Sequence, residues 1–289
     1  MSSPIADTAV RLPAPALRSF ITQYAGFRVS GLPCGIHYGL PSSDVHLIIS
    51  LGHPIEVLQM PNSAQRPSAL NALVSGLQYA PAVLRQDRDA FGLHVFIKPL
   101  GVRAILGVAS EEISSLVLNL TDIWGNRADT LIDALLGAHT WHERFAVLDQ
   151  AFLSKLNPFS PQPEICWAWE RLSKSHGSVP VQQLAREIGY SRRHFSERFR
   201  EIIGATPKLV ARVLRFERAC RLIARNRLGL AQIASGCGYY DQAHMTREWC
   251  AFAGCSPKAW ISRELPFLQD YELAGRENGF HDLGSRKPE

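Results

Sequence analysis

The chain has 289 residues, of which 46% are hydrophobic and 20% charged, a composition that excludes general disorder and allows one large domain or two ordinary ones. The longest apolar runs have strand length, so a membrane span is not expected. Because the N-terminus lacks a basic stretch followed by an apolar core and the six cysteines form no tight framework, the sequence predicts a cytoplasmic protein with reduced thiols.

The positive charge lies in the second half of the chain. Residues 1–160 hold 11 Lys and Arg against 12 Asp and Glu, whereas residues 161–264 hold 17 against 9. The segment 192–227 alone has 11 basic and 3 acidic residues. Such a block attracts a polyanion, because neutralised phosphates release condensed counterions. Nucleic acid is therefore a candidate partner, and a solvated helical face is the alternative.

The first 155 residues predict a β-rich domain with flanking helices. Apolar residues at helical spacing predict a helix over 14–24. Short runs separated by Gly and Pro predict strands over 35–40, 45–51, 54–60 and 91–98. The pattern becomes helical again from Gly101, and a last helix is predicted over 141–156.

A proline-rich stretch divides the chain. Three prolines between Leu156 and Pro163 interrupt any helical or strand period, and the charge balance changes at the same place. The sequence therefore predicts an N-terminal domain over 1–155, a linker over 156–163 and a second domain over 164–264. Residues 265–289 have no clear apolar period and are predicted to form a flexible tail.

The second domain is predicted to be all-helical and contains an internal repeat. Residues 184–190 correspond to 233–239 at an offset of 49, and the match continues at an offset of 50 to Pro207 and Pro257. Each copy predicts a helix, a tight turn and a second helix. Between the copies, the pattern after Thr206 predicts a long helix that joins them.

The turn and the second helix of each copy have a pattern typical of DNA-reading units. Gly189 and Gly238 stand where the first helix must end, and glycine adopts the left-handed conformation there without a Cβ clash. The predicted buried stripes are Phe195, Phe199, Ile202 and Ile203 in the first copy and Met245, Trp249 and Phe252 in the second. The opposite faces carry Arg192, Arg193, Ser196, Glu197 and Arg200, and Asp241, Gln242, Ala243, Thr246 and Arg247. Such a face suits the major groove of DNA, and a helical bundle with a basic surface is the alternative.

Residues 169–260 resemble the DNA-binding domain of the AraC/XylS family of transcription regulators. The most specific stretch is 233–249, in which an aromatic residue follows the turn glycine, together with the closing Gly-Cys-Ser-Pro at 254–257. The departures from the family pattern are mild: Met245 and Trp249 replace the commoner Phe, Ala243 the frequent Ser, and Cys237 an aliphatic residue.

The resemblance implies roles for individual residues. The implied base readers are Arg193, Ser196 and Glu197 in the first copy and Gln242, Thr246 and Arg247 in the second. The residues predicted to contact phosphate are Arg192, Arg200, Lys208, Tyr240 and, on the long helix, Arg212, and Arg225 is expected to act in the same way. Glu197 has an alternative role as an intrahelical partner of Arg193 or Arg200.

The N-terminal domain resembles, in residues 96–107 and 120–125, a sensor-like module found before this DNA-binding domain in some family members. The resemblance implies a β-rich, cupin-like fold that binds a small-molecule effector; the alternative is a module that only dimerises or binds a protein partner. The predicted partners of a transcription factor of this kind are double-stranded DNA, an effector, a second copy of the chain and, for an activator, RNA polymerase.

Enzyme and metal sites are not expected. A metal cupin has a His-x-His pair with a Glu soon after, and this sequence has no His-x-His. Cys237 and Cys255 fall at apolar core positions, which favours buried thiols over zinc ligands. Cys34 has neither the clustered cysteines nor the Pro-Cys-His-Arg motif of alkylation-repair domains, and nucleophile elbows and phosphate-binding glycine loops are lacking. The sequence therefore predicts no metal, no cofactor and no catalytic residues.

Overall fold

A computed structural model describes residues 5–157, 159–224 and 228–264 of the chain. The first part contains, in order, β1 (Ile5–Arg11), β2 (Ile21–Ser30), β3 (Gly35–Gly39), β4 (Val45–Ser50), β5 (Ile55–Gln59), β6 (Ser68–Leu70), β7 (Ala72–Ser75), β8 (Ala82–Gln86), β9 (Ala90–Ile97), α1 (Val102–Leu106), β10 (Val117–Asn119), α2 (Leu120–Trp124), α3 (Asn126–Gly137) and α4 (Trp141–Lys155). The second part contains α5 (Pro163–Lys174), α6 (Val181–Glu187), α7 (Arg192–Ile203), α8 (Pro207–Ala224), α9 (Leu230–Gly236), α10 (Gln242–Ala253) and α11 (Pro257–Glu264). The predicted fold class, a β-rich first part followed by helical units joined by a long helix, is confirmed.

The strands form two antiparallel sheets that face each other. One has the order β1-β2-β9-β4-β7-β10 and the other β3-β8-β5-β6. Alternate side chains of β4, such as Leu47 and Ile49, enter the main core on one side of the larger sheet. On its other side, Leu73 packs with Val57 and Leu70 of the smaller sheet. A small apolar layer therefore joins the two sheets.

The helix predicted over 14–24 is wrong. The structure has a short 3₁₀ turn at Pro15–Leu17, and β2 begins at Ile21. The register of β2 against β9 shifts between Ile21 and Gln23, which marks a β-bulge. Because the bulge inserts an extra residue, Ile21 and Tyr24 both enter the main core. The bulge thus gives a strand the three-residue spacing of a helix.

Helix α4 covers the larger sheet, and its boundaries follow from its sequence. Thr140 and Glu143 form a reciprocal capping box at its start. Phe145 and Phe152 of its inner face are buried against the sheet. On the same helix, the buried Asp149 accepts hydrogen bonds from the Tyr24 hydroxyl (3.0 Å), the Ala14 N–H (2.9 Å) and the Arg11 guanidinium (2.6 Å).

The main core continues from the β-rich part into the second part. It includes apolar side chains of α5, α6 and α7 and reaches Leu214 on α8. A separate core, centred on Phe216, Trp249 and Trp260, holds the second helical unit together. Helix α4 ends at Lys155 and α5 begins at Pro163. The tail predicted over 265–289 lies outside the described residues, and none of the described helices has the length and apolar character needed to cross a membrane.

Candidate nucleic-acid interface

The two helix-turn-helix units, α6–α7 and α9–α10, have equivalent turns. Gly189 and Gly238 have φ angles of +73° and +77°. In the first unit the Tyr190 N–H donates to the Ala185 carbonyl at 2.9 Å. In the second, the Tyr239 N–H donates to the Ala234 carbonyl at 3.0 Å. This bond closes the same helix cap in each unit, so both turns direct the chain in the same way.

The second helices of the two units also begin and end alike. The Ser191 hydroxyl accepts the His194 N–H at 3.2 Å at the start of α7, and the Asp241 carboxylate accepts the His244 N–H at 2.6 Å at the start of α10. Each helix has 12 residues and is followed by a glycine in the left-handed conformation. The repeat in the sequence therefore corresponds to a repeat in the structure.

Helix α7 has a buried back and a polar front. Phe195, Phe199 and Ile203 are buried, while Arg192, Arg193 and Glu197 are exposed and Ser196 is half-buried. The Arg193 Nε donates to Glu197 Oε1 at 2.9 Å, and this hydrogen bond raises the pKa of Arg193. The structure thus shows the intrahelical pairing expected as the alternative role of Glu197. An exposed pair of this kind opens at little cost, so both side chains are accessible to a base edge.

Helix α10 has the same organisation with different chemistry on its front. Its back, formed by Met245, Trp249, Phe252 and Ala253, is buried. Gln242 and Arg247 are exposed and Thr246 is half-buried. Tyr240, in the preceding turn, is 93% exposed, and its N–H donates to His244 Nδ1 at 3.3 Å. The front of α10 is therefore accessible to a large partner.

The residues predicted to contact phosphate fall into two groups. Arg192, Lys208 and Tyr240 are exposed. Arg200 forms an ion pair with Glu111 of the first part (Nε to Oε1, 3.0 Å), and Arg212 forms one with Glu248 (Nε to Oε1, 2.6 Å). Arg212 is half-buried on α8 and paired with Glu248 of α10, and its assignment to phosphate stays a prediction. Arg225 lies outside the described residues.

The first part of the chain contacts α7 and α8. The contacts involve the acidic residues Glu111 and Glu217 and the backbone at Gly204. Glu217 of α8 is buried and accepts hydrogen bonds from the Ser42 hydroxyl (2.9 Å) and from the N–H and hydroxyl of Ser43 (2.9 and 2.8 Å). Gly204, at the end of α7, lies against the Ser110 backbone. The Tyr79 hydroxyl donates to the Gly204 carbonyl at 3.3 Å. These contacts join the β-rich part of the chain to α7 and α8.

An open cleft of about 520 Å³ lies at one end of the two sheets. Its lining includes Cys34, His53, Glu56, Asp87, Arg88 and Asp89. Within the sheets, the rings of His46 and His94 are in contact, with Nδ1 and Nε2 2.6 Å apart. Among the residues that the structure describes, three or more His, Cys, Asp or Glu never converge as a metal site. Burial raises the pKa of the Cys220 and Cys237 thiols, as expected for core cysteines.

Comparisons with known proteins agree with this geometry. Residues 184–263 match the family model described as a helix-turn-helix domain. The MmsAB operon regulatory protein of Pseudomonas aeruginosa is 30% identical over 88 residues, which are 30% of this chain and 29% of that protein. The RCS-specific HTH-type transcriptional activator RclR of Escherichia coli K12 is 30% identical over 83 residues, 29% of each chain. The chain thus matches less than a third of the length of these curated relatives.

Solved structures show the same overall fold. Apo ToxT from Vibrio cholerae, in a variant form, has a TM-score of 0.50 and 11% identity, and the match covers 91% of this chain and 98% of that one. ToxT bound to (E)-4-(8-methylnaphthalen-1-yl)but-3-enoic acid has a TM-score of 0.50 and 11% identity over 91% of this chain and 99% of that one. The match to the family model identifies residues 184–263 as a helix-turn-helix domain, in the region where the sequence predicts one, and the ToxT structures share the overall fold. One of the two curated relatives is named as an operon regulatory protein and the other as a transcriptional activator.

Proposed function

We propose that the chain is a transcription regulator that binds double-stranded DNA by placing α7 and α10 in adjacent segments of the major groove. The observation that carries the proposal is the pair of equivalent helices, each with a buried back and an exposed polar front, on either side of the 18-residue α8. The major groove admits one α-helix at a time, so two helices at a fixed separation suit successive segments on one face of DNA.

The side chains on the two fronts favour different bases. On α7, Arg193 matches guanine, Glu197 matches the cytosine amino group, and Ser196 can bond to either. On α10, Gln242 matches adenine, the Thr246 methyl group matches thymine, and Arg247 matches guanine. We therefore expect a G·C-containing segment under α7 and a more A·T-rich segment under α10. Arg192, Lys208 and Tyr240 would hold the phosphates on both sides.

We propose further that a small-molecule effector bound to the first part controls DNA binding. Two features support this: the cleft beside Glu56 and Asp87 has the volume of a ligand site, and Glu217 and Gly204 join the first part to α8 and α7. The second candidate is a first part that only dimerises or binds a protein such as RNA polymerase. The exposed edge strand β1, with Ile5 77% exposed, favours pairing with a second copy.

Methylation interference with dimethyl sulfate on a bound fragment tests the DNA-binding proposal, because the reagent modifies guanine N7 in the major groove and adenine N3 in the minor groove. We expect interference in two major-groove patches about 10 base pairs apart on one face of the duplex. A single patch, or sensitivity only in the minor groove, would contradict it. A thermal-shift screen separates the two candidates for control, because a ligand that binds only the folded state raises the melting temperature by an amount that grows with the logarithm of 1 + [ligand]/Kd. Concentration-dependent melting without ligand would favour dimerisation.

A further inference from the structure

Glu248 is an acidic residue at the junction between α10 and α8. Its side chain is only 12% exposed. Oε1 accepts a hydrogen bond from Arg212 Nε at 2.6 Å and lies 3.8 Å from His244 Nε2. Oε2 lies 4.0 Å from a terminal nitrogen of Arg215. We call these four residues the Glu248 cluster. Its two arginines belong to α8, while its acid and histidine belong to α10.

The two arginines of the Glu248 cluster also contact other elements. The Arg212 guanidinium lies over the Phe252 ring, 5.0 Å from its centre, on the next turn of α10. The Arg215 guanidinium lies 5.8 Å from the centre of the Tyr239 ring and donates to the Gly177 carbonyl at 3.4 Å. Gly177 precedes α6, in the first helix-turn-helix unit. The cluster therefore connects the second reading helix to α8 and, through Arg215, to the first unit.

The first unit has no equivalent cluster at the matching position. At the offset of 50 residues, Arg198 of α7 stands where α10 has Glu248. Arg198 pairs with Glu201 on its own helix, and the two side chains are 33% and 56% exposed. The helix-turn-helix fold therefore does not need an acid at this position. Because burying a charge is unfavourable unless it is paired, the buried position of Glu248 depends on Arg212 and Arg215 of α8.

We propose that Glu248 is a positioning residue for DNA recognition, which fixes the orientation of α10 on α8 through Arg212 and Arg215. This inference rests on the proposed function. Arg212 acts through Glu248 and does not bind a phosphate. The buried apolar back of α10 limits its distance from α8, but apolar contacts are non-directional and permit rotation. The charged hydrogen bond from Arg212 is directional and defines which side chains of α10 face the groove.

Three variants of the full chain test the proposal: Glu248→Met, Arg212→Met and the double variant. Each is used to select bound fragments from random DNA, and affinity is measured on the wild-type motif. We expect each single variant to relax base preference in the segment under α10, to keep the preference under α7, and to bind about tenfold more weakly. The double variant should recover part of the loss, because neither charge is then left without the other. Glu201→Met is the matched control and should behave as wild type.

Other results would overturn the proposal. If Arg212 binds phosphate, Arg212→Met will weaken binding to all sequences equally and will lower the slope of log affinity against log salt concentration by about one. The effect will then be the same whether Glu or Met stands at position 248. If the cluster only supports folding, the single variants will lose preference under α7 and α10 together. If wild type itself selects no motif, the proposed function fails with the inference. If wild type selects a motif and all variants match it, only the positioning role fails.

Discussion

The equivalent glycines at the ends of α7 and α10 allow a test of how the first part of the chain is docked. Gly204 and Gly254 have φ angles of +90° and +68°, so alanine at either position costs about 1–2 kcal/mol of backbone strain. A Cβ at Gly204 would lie 2.6 Å from the Ser110 carbonyl oxygen. At Gly254 the nearest atom is a side-chain carbon of Pro81 at 3.4 Å, which is ordinary contact. The two substitutions therefore differ chiefly in the clash with the first part.

We expect Gly204→Ala to lower the free energy of unfolding by about 2–5 kcal/mol and Gly254→Ala by about 1–2 kcal/mol. The extra loss arises because the Ser110 backbone must retreat by about 0.8 Å, and overpacking of this kind costs about 1–3 kcal/mol. The hydrogen bond from Tyr79 to the Gly204 carbonyl would be disturbed as well. Urea denaturation of the full-length variants, followed by tryptophan fluorescence, measures both values. Losses equal within about 0.5 kcal/mol would refute the docking of Ser110 on α7, because surface changes typically stay within that range.

Three further predictions concern individual side chains. Arg247→Ala should relax base preference at one position of the selected motif and cost about 1–3 kcal/mol of binding free energy. Lys208→Ala should weaken binding to every sequence alike and lower the slope of log affinity against log salt concentration by about one. Uniform weakening by Arg247→Ala would refute base reading. Glu111→Gln should release Arg200 and tighten DNA binding at low salt. The gain should be at most about fivefold, because Arg200 and Glu111 are both exposed. The neighbouring Glu112→Gln is the control, and an equal effect of this variant would exclude the ion pair as the cause. Burial and the contact with Asp149 raise the pKa of Tyr24, so its contribution to stability is complete below the unfolded pKa of about 10 and is lost as the pH rises above it. Denaturation between about pH 9 and 11 should show a shallower loss for Tyr24→Phe than for wild type, and equal slopes would refute this contribution.

The sequence predicts the helical part well because its information is local. The turn glycines and the buried stripes depend on residues a few positions apart, and the repeat presents the same local pattern twice. Phe195 and Phe199 are buried at the predicted spacing, and Met245 and Trp249 repeat the pattern. In the first part, the spacing of apolar residues is a less reliable guide to secondary structure. The bulge in β2 buries Ile21 and Tyr24, three residues apart, which is the spacing expected of a helix.

The long-range partners of charged residues could not be predicted, because they come from distant parts of the chain. Arg200 and Arg212 belong to the same basic segment and carry the same charge, yet each forms an ion pair with a distant acid. Glu111 lies in a turn of the first part, and no spacing relates it to Arg200. For Glu248 a weak signal existed, since it stands four residues after His244 in α10, but its burial depends on α8. The same applies to Glu217, whose partners lie more than 170 residues away.

The most direct test of the account is selection of bound fragments from a random DNA pool by the full-length protein at two salt concentrations. Phosphate contacts provide affinity that falls with salt, whereas base contacts determine which fragments are retained. We predict one motif, at both salt concentrations, with two conserved segments about one helical turn apart, one containing G·C pairs and the other richer in A·T. Recovery of unrelated fragments that disappear at the higher salt concentration would contradict the claim that α7 and α10 read DNA sequence.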